Sequence, residues 1–96
     1  DLVKCYDFLL QYCYENDALG LPAAEEYIRR GDSDLVFLRR EKGYNDQETY
    51  LKYNVLCSLL FLKADRMGEA EHYRNIALSF FRSLTEEQRI YLYGEA

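Results

Sequence analysis

One histidine, three cysteines and seventeen carboxylates are the side chains of this 96-residue chain from which chemistry could be built. His72 follows Glu69 by three positions, so Glu-x-x-His lies on one helical face, the spacing found in di-iron carboxylate bundles. Such a centre takes the motif from two helices, and a single chain with a single His lacks the second copy. Cys5 and Cys13 are eight residues apart on one expected helix, about 12 Å along its axis. That is too far for a disulfide. Cys57 sits in an apolar stretch, and no Cys-x-x-Cys pair or neighbouring His suggests zinc or a redox couple. Three reduced core thiols in a cytoplasmic protein is the expectation. Ser33, Thr49, Ser58, Ser79, Ser83 and Thr85 have no base at an activating spacing. No glycine-rich phosphate loop is present. The sequence therefore predicts no enzyme, no metal centre and no cofactor.

Charge narrows the partners. The net charge of −5 falls wholly in residues 1–48, while residues 49–96 are neutral. An acidic chain with a pI near 4.8 is a poor match for nucleic acid, which needs clustered Lys and Arg. The apolar runs are shorter than the ~20 residues that span a bilayer, so no membrane partner is expected. Ten tyrosines and no tryptophan are the compositional peculiarity. A tyrosine ring with a polar tip suits half-buried positions, and it equally suits protein interfaces. Three groups are the candidate partner-binding residues. These are Tyr91, Leu92 and Tyr93 near the end of the chain, Tyr12 and Tyr14 near the end of the first helix, and the basic cluster Arg39, Arg40 and Lys42.

The elements that would position these residues all read as helices. Leu2, Tyr6, Leu9, Leu10 and Cys13 form one stripe, widened by Cys5, Phe8 and Tyr12, over 2–16. Gly20 and Pro22 open a short second helix over 22–30, with Glu25 and Glu26 in its first turn, Arg29 and Arg30 in its last, and Gly31 as its stop. Asp32 or Ser33 caps a third over 33–42, carrying Leu35 to Leu38 and stopped by Gly43. Asn45 with Glu48 suggests the start of a long helix over 46–64. Its stripe is Tyr50, Tyr53, Leu56, Cys57, Leu60, Phe61 and Ala64. Leu51, Val55, Leu59 and Leu62 lie off that stripe, so this helix reads as central and covered on several sides. After a bend at 65–68, a helix over 68–83 points Ala70, Tyr73, Ala77, Phe80, Phe81 and Leu84 inward. "TEEQ" at 85–88 matches a capping box for a sixth. The expected architecture is all-α, one domain over 1–96, with five to six antiparallel helices.

The stretch "FLKADRMGEA" and its flanks resemble a tetratricopeptide repeat over about residues 51–84. Cys57 and Ser58 stand as the apolar-then-small pair, Phe61 as the large aromatic, and Ala70 and Ala77 as the small residues of the second helix. The chain departs from that pattern at Asp65, where the turn usually has Gly, at Arg74, and at Arg82 in place of the closing Pro. The resemblance implies a helical hairpin whose first helix faces a peptide groove. Its groove positions would be Lys52, Val55, Leu59, Leu62 and Lys63, which are too aliphatic for a carboxylate clamp. With one convincing unit where stacked repeats need about three, the groove is expected to be filled by the chain's own opening helices. The functional expectation is a non-enzymatic protein–protein interaction module: a regulator, adaptor or chaperone-like protein. A homodimeric bundle without another partner is the alternative. A metal- or ligand-binding enzyme has no foothold beyond His72.

Overall fold

The computed structural model describes residues 2–16, 20–83 and 86–87. Four helices account for them: α1 (Leu2–Glu15), α2 (Gly20–Glu41), α3 (Gln47–Lys63) and α4 (Met67–Ser83). No strand occurs among the described residues. Among the described residues the fold is all-helical, with four helices where five to six were expected. The capping box expected at 85–88 lies, apart from Glu86 and Glu87, outside the described residues.

The missing break is at Gly31. Arg-Arg-Gly-Asp-Ser reads as one helix ending and another beginning, yet α2 runs through it for 22 residues. Glu25 and Glu26 are consequently not in a first turn. Glu26 instead accepts from Arg29 and Arg30 on its own helix, and Glu25 pairs across to Arg66. Gly31 does not adopt a left-handed φ; among the described glycines only Gly43 does, at φ 65°. Gly43 does what the sequence suggests. It reverses the chain after α2, and the amides of Lys42 and Tyr44 both donate to the Leu38 carbonyl.

Gly31 serves close approach instead. A Cβ there would lie 2.5 Å from Tyr53 Oη and 2.9 Å from its Cε2. The missing side chain lets the fully buried Tyr53 of α3 lie against the α2 backbone and donate to the Ile28 carbonyl (3.0 Å) and the Asp32 carboxylate (2.8 Å). Asp32 also accepts from Tyr73 of α4. Two residues on, Asp34 accepts from Tyr6 of α1 at 2.6 Å. One turn of α2 thus ties the other three helices through tyrosine hydroxyls. Burial first, and the Asp32 contact second, push the Tyr73 hydroxyl pKa up; burial does the same to Tyr53. Both stay neutral donors.

α3 is the central helix. It packs against α1 on one side and most extensively against α4 on another, while α2 meets it over a short stretch. Its start differs by one residue from the expected cap. Asp46, not Asn45, is the N-cap, accepting from Thr49 N at 3.1 Å and Thr49 Oγ1 at 2.7 Å. Thr49 supplies both partners, whereas Asn45 is exposed. The core holds Val3, Tyr6, Leu10 and Cys13 of α1 with Tyr53, Cys57, Leu60 and Phe61 of α3, plus Ala24, Ile28 and Leu35 of α2 and Ala70 and Tyr73 of α4. Each fully buried aliphatic contributes about 1.5–3 kcal/mol. Cys5 departs from expectation, being exposed where a core thiol was foreseen, because α1 turns Val3 rather than Cys5 inward. Cys13 and Cys57 are buried, and burial pushes both thiols up, Cys57 well above its usual range. Neither is activated for nucleophilic work.

Candidate functional site: an uncovered apolar groove between α3 and α4

α3 and α4 form a hairpin closed by a tight turn. Asp65 occupies its left-handed position at φ 60°, where a glycine is the easier residue. Small side chains bring the two helices together. Ser58 Oγ donates to the Ala70 carbonyl at 2.8 Å, and Ala70 and Ala77 are both buried. Beside this contact a groove of about 400 Å³ opens, lined by Leu51, Val55, Ser58, Leu59, Leu62, Arg74, Ala77 and Leu78. Ser58 and Ala77 provide small residues in it, Arg74 a charged one, and aliphatic chains the rest.

This overturns the expectation that the opening helices fill the groove. Val55, Leu59 and Leu62 keep 37%, 36% and 47% of their surface in water. The reason is geometric. α1 packs on the Tyr53–Cys57 side of α3, and unbroken α2 stays against α1 instead of turning back as a separate short helix. No described element reaches the remaining side. An α3 that is apolar nearly all round is therefore covered by α1, α2 and α4 on its other flanks and by no described element on this one. Leu51 to Leu62 spans about 16 Å along the axis, three helical turns. The one charged residue in the lining is Arg74, which makes no ion pair with any described residue.

The residues expected to bind partners are not gathered at one place. Tyr12 is half exposed and shares the outer face of α1 with Phe8, which is 72% exposed, so two aromatic rings four residues apart face water there. Tyr14 is engaged internally: Lys63 Nζ lies 4.7 Å from its ring centre and donates to its carbonyl at 2.7 Å. Arg39, Arg40 and Lys42 are exposed at the C-terminal end of α2. Arg39 stacks over Tyr50, 4.4 Å from the ring centre. Tyr14 thus sits by the last turn of α3 and Arg39 by its first, about 20 Å apart. Arg39 and Arg40 border a mixed cleft of about 320 Å³ lined by Asp32, Asn54 and His72 together with Leu35, Val36 and Ile76. Tyr91, Leu92 and Tyr93 lie outside the described residues.

His72 is exposed and meets the Tyr73 ring edge-on at 5.0 Å, while Glu69 is held by Arg66 at 3.0 Å, whose hydrogen bond lowers the Glu69 pKa. No cluster of three or more His, Cys, Asp or Glu suited to a metal ion occurs among the described residues. Nor is any described helix long and apolar enough to cross a membrane. Comparison of the chain with protein-family models, with curated proteins and with solved structures finds no match.

In the sequence Leu51, Val55, Leu59 and Leu62 were visible as off-stripe aliphatics, and Ser58 and Ala77 as small residues of the two hairpin helices. Their exposure was not, because it depends on where α1 and α2 go.

Proposed function

We propose that this domain is a non-enzymatic protein–protein interaction module whose α3–α4 groove receives an amphipathic helix from another protein. The observation that carries the reading is the exposure of Val55, Leu59 and Leu62 along one continuous face of a central helix. Covering what remains exposed of each is worth about 1 kcal/mol per side chain, before the cost of association. The expected occupant is a helix of about three turns with aliphatic residues at i, i+3 or i+4, and i+7. Arg74, exposed at the groove, adds a preference for an acidic side chain at the edge of that face, since complementary charge sets register and partner choice. The tetratricopeptide-like small residues Ser58, Ala70 and Ala77 support the same reading, because they let the hairpin close tightly and leave a shallow trough beside it.

The test uses helical peptides with one fixed aliphatic face, carrying Glu, Gln or Lys at its edge, titrated into the labelled protein and followed by NMR. Binding should perturb Val55, Leu59, Leu62 and Ala77, follow the order Glu, Gln, Lys, and be lost in Leu59→Asp. Arg74→Glu should invert the order. Shifts scattered away from the groove, or an order insensitive to residue 74, defeat the reading. If wild-type protein self-associates at micromolar concentration in sedimentation and Leu59→Asp abolishes this, the occupant is a second copy.

A further inference from the structure

α2 and α4 both pack on α3 yet scarcely touch each other. Tyr73 reaches across to Asp32, and beside that contact the gap stays open as the cleft of about 320 Å³. This is the lower end of the size range of small-ligand pockets, roughly 300–1,000 Å³. α2 gives one wall, with Asp32, Leu35, Arg39 and Arg40; Ile76 belongs to the α4 wall, and Asn54 comes from α3 between them.

Asn54 is the unusual residue. It is 1% exposed. Its Nδ2 donates to the Tyr50 carbonyl at 2.9 Å, which fixes which end of the amide is nitrogen. Its Oδ1 accepts from no described residue and is not sealed from water, and it is in the cleft that Asn54 meets solvent. An enclosed amide oxygen without a donor is costly, so this atom calls for an N–H or O–H from outside the fold.

The charges around it have two signs. In a chain of net charge −5, the cleft carries two arginines against one aspartate. Arg39 is steadied over the Tyr50 ring, one helical turn from Asn54, and the exposed Arg40 is next to it in the chain. Guanidinium groups take carboxylates through paired N–H bonds. Asp32 lies two turns back along α2, about 10 Å from the Arg39 position. It accepts from two neutral tyrosine hydroxyls and pairs with no described cation. The cleft is thus positive at one end and negative at the other, with aliphatic Leu35 and Ile76 in its walls.

We propose that this cleft binds a free aliphatic amino acid. Arg39 and Arg40 hold its carboxylate, Asn54 Oδ1 accepts from its ammonium on the Asp32 side, and Leu35 and Ile76 take its side chain. A plain anion would leave Asn54 Oδ1 without a donor, and a plain amine would leave the arginines unused. A residue inside a peptide has neither charge. No residue lines both this cleft and the α3–α4 groove, so the proposal does not depend on what the groove binds.

The test titrates three probes into the isotope-labelled full chain and follows them by NMR: leucine, isocaproate, which lacks the ammonium, and leucinamide, which lacks the carboxylate. Millimolar leucine should shift the amides of Asn54 and Ile76 saturably. Each analogue should bind about ten-fold more weakly or worse. Arg40→Gln, at an exposed position, should weaken leucine about ten-fold and leave leucinamide unchanged. Asn54→Ala should weaken leucine and leave isocaproate unchanged; should it lose helicity in circular dichroism, Arg40→Gln still decides. No saturable shift with leucine, analogues that match leucine, or leucine affinity unmoved in Arg40→Gln overturns the proposal.

Discussion

Gly31→Ala offers a sharp test, because helix propensity and packing predict opposite signs. In an exposed helix interior, replacing Gly by Ala stabilises by about 0.5–1 kcal/mol. Gly31 is in the interior of α2 and, among the described residues, is not held in a left-handed conformation, so that gain is available. Against it stands the Tyr53 ring. The new methyl would meet Oη at 2.5 Å, Cε2 at 2.9 Å and Cζ at 3.0 Å. Tyr53 cannot yield easily: its side chain is fully buried and its hydroxyl is bonded to Ile28 and Asp32. Forcing extra volume into such a site costs about 1–3 kcal/mol. The steric cost exceeds the propensity gain, leaving a net destabilisation of about 1–2 kcal/mol. For a chain of this size that lowers Tm by roughly 4–8 °C per kcal/mol. Urea denaturation followed by helical circular dichroism measures it, with an unchanged m-value confirming that stability alone has shifted. On a Tyr53→Phe background the nearest clash is gone while the ring contacts remain, so Gly31→Ala should cost about half as much there. A Gly31→Ala protein as stable as the parent, or more so, would refute the close-approach account of α2 continuity.

Asp32→Asn weakens the hydroxyl contacts from two buried tyrosines and should cost about 1–3 kcal/mol in urea denaturation. Asp34→Asn, touching Tyr6 alone, should cost less. At the hairpin turn, Asp65→Gly relieves a left-handed φ of 60° and should raise stability by about 0.5–1 kcal/mol, seen as a higher Tm. Peptide binding by the groove should survive Arg39→Ala and Tyr12→Ala, since neither residue lines it, and NMR titration of the two variants checks this.

Periodicity and punctuation in the sequence determined much of the architecture. They marked α1 to within one residue of its end, and placed α3 and α4 almost to their observed limits. They also marked Gly43 as a helix stop, because a glycine just after a basic last turn is a local signal. Those features depend on residues three or four positions apart, which a linear reading can see. Gly31 carried the same local signal and meant something else. Whether a glycine ends a helix or admits a neighbour is decided by what approaches it, and here that is a ring 22 positions further along the chain. The same holds for the groove. The aliphatic character of Val55, Leu59 and Leu62 was written in the sequence; their exposure was decided only when unbroken α2 went to α1. Local chemistry chose the helices, and long-range contact chose which of their faces are covered.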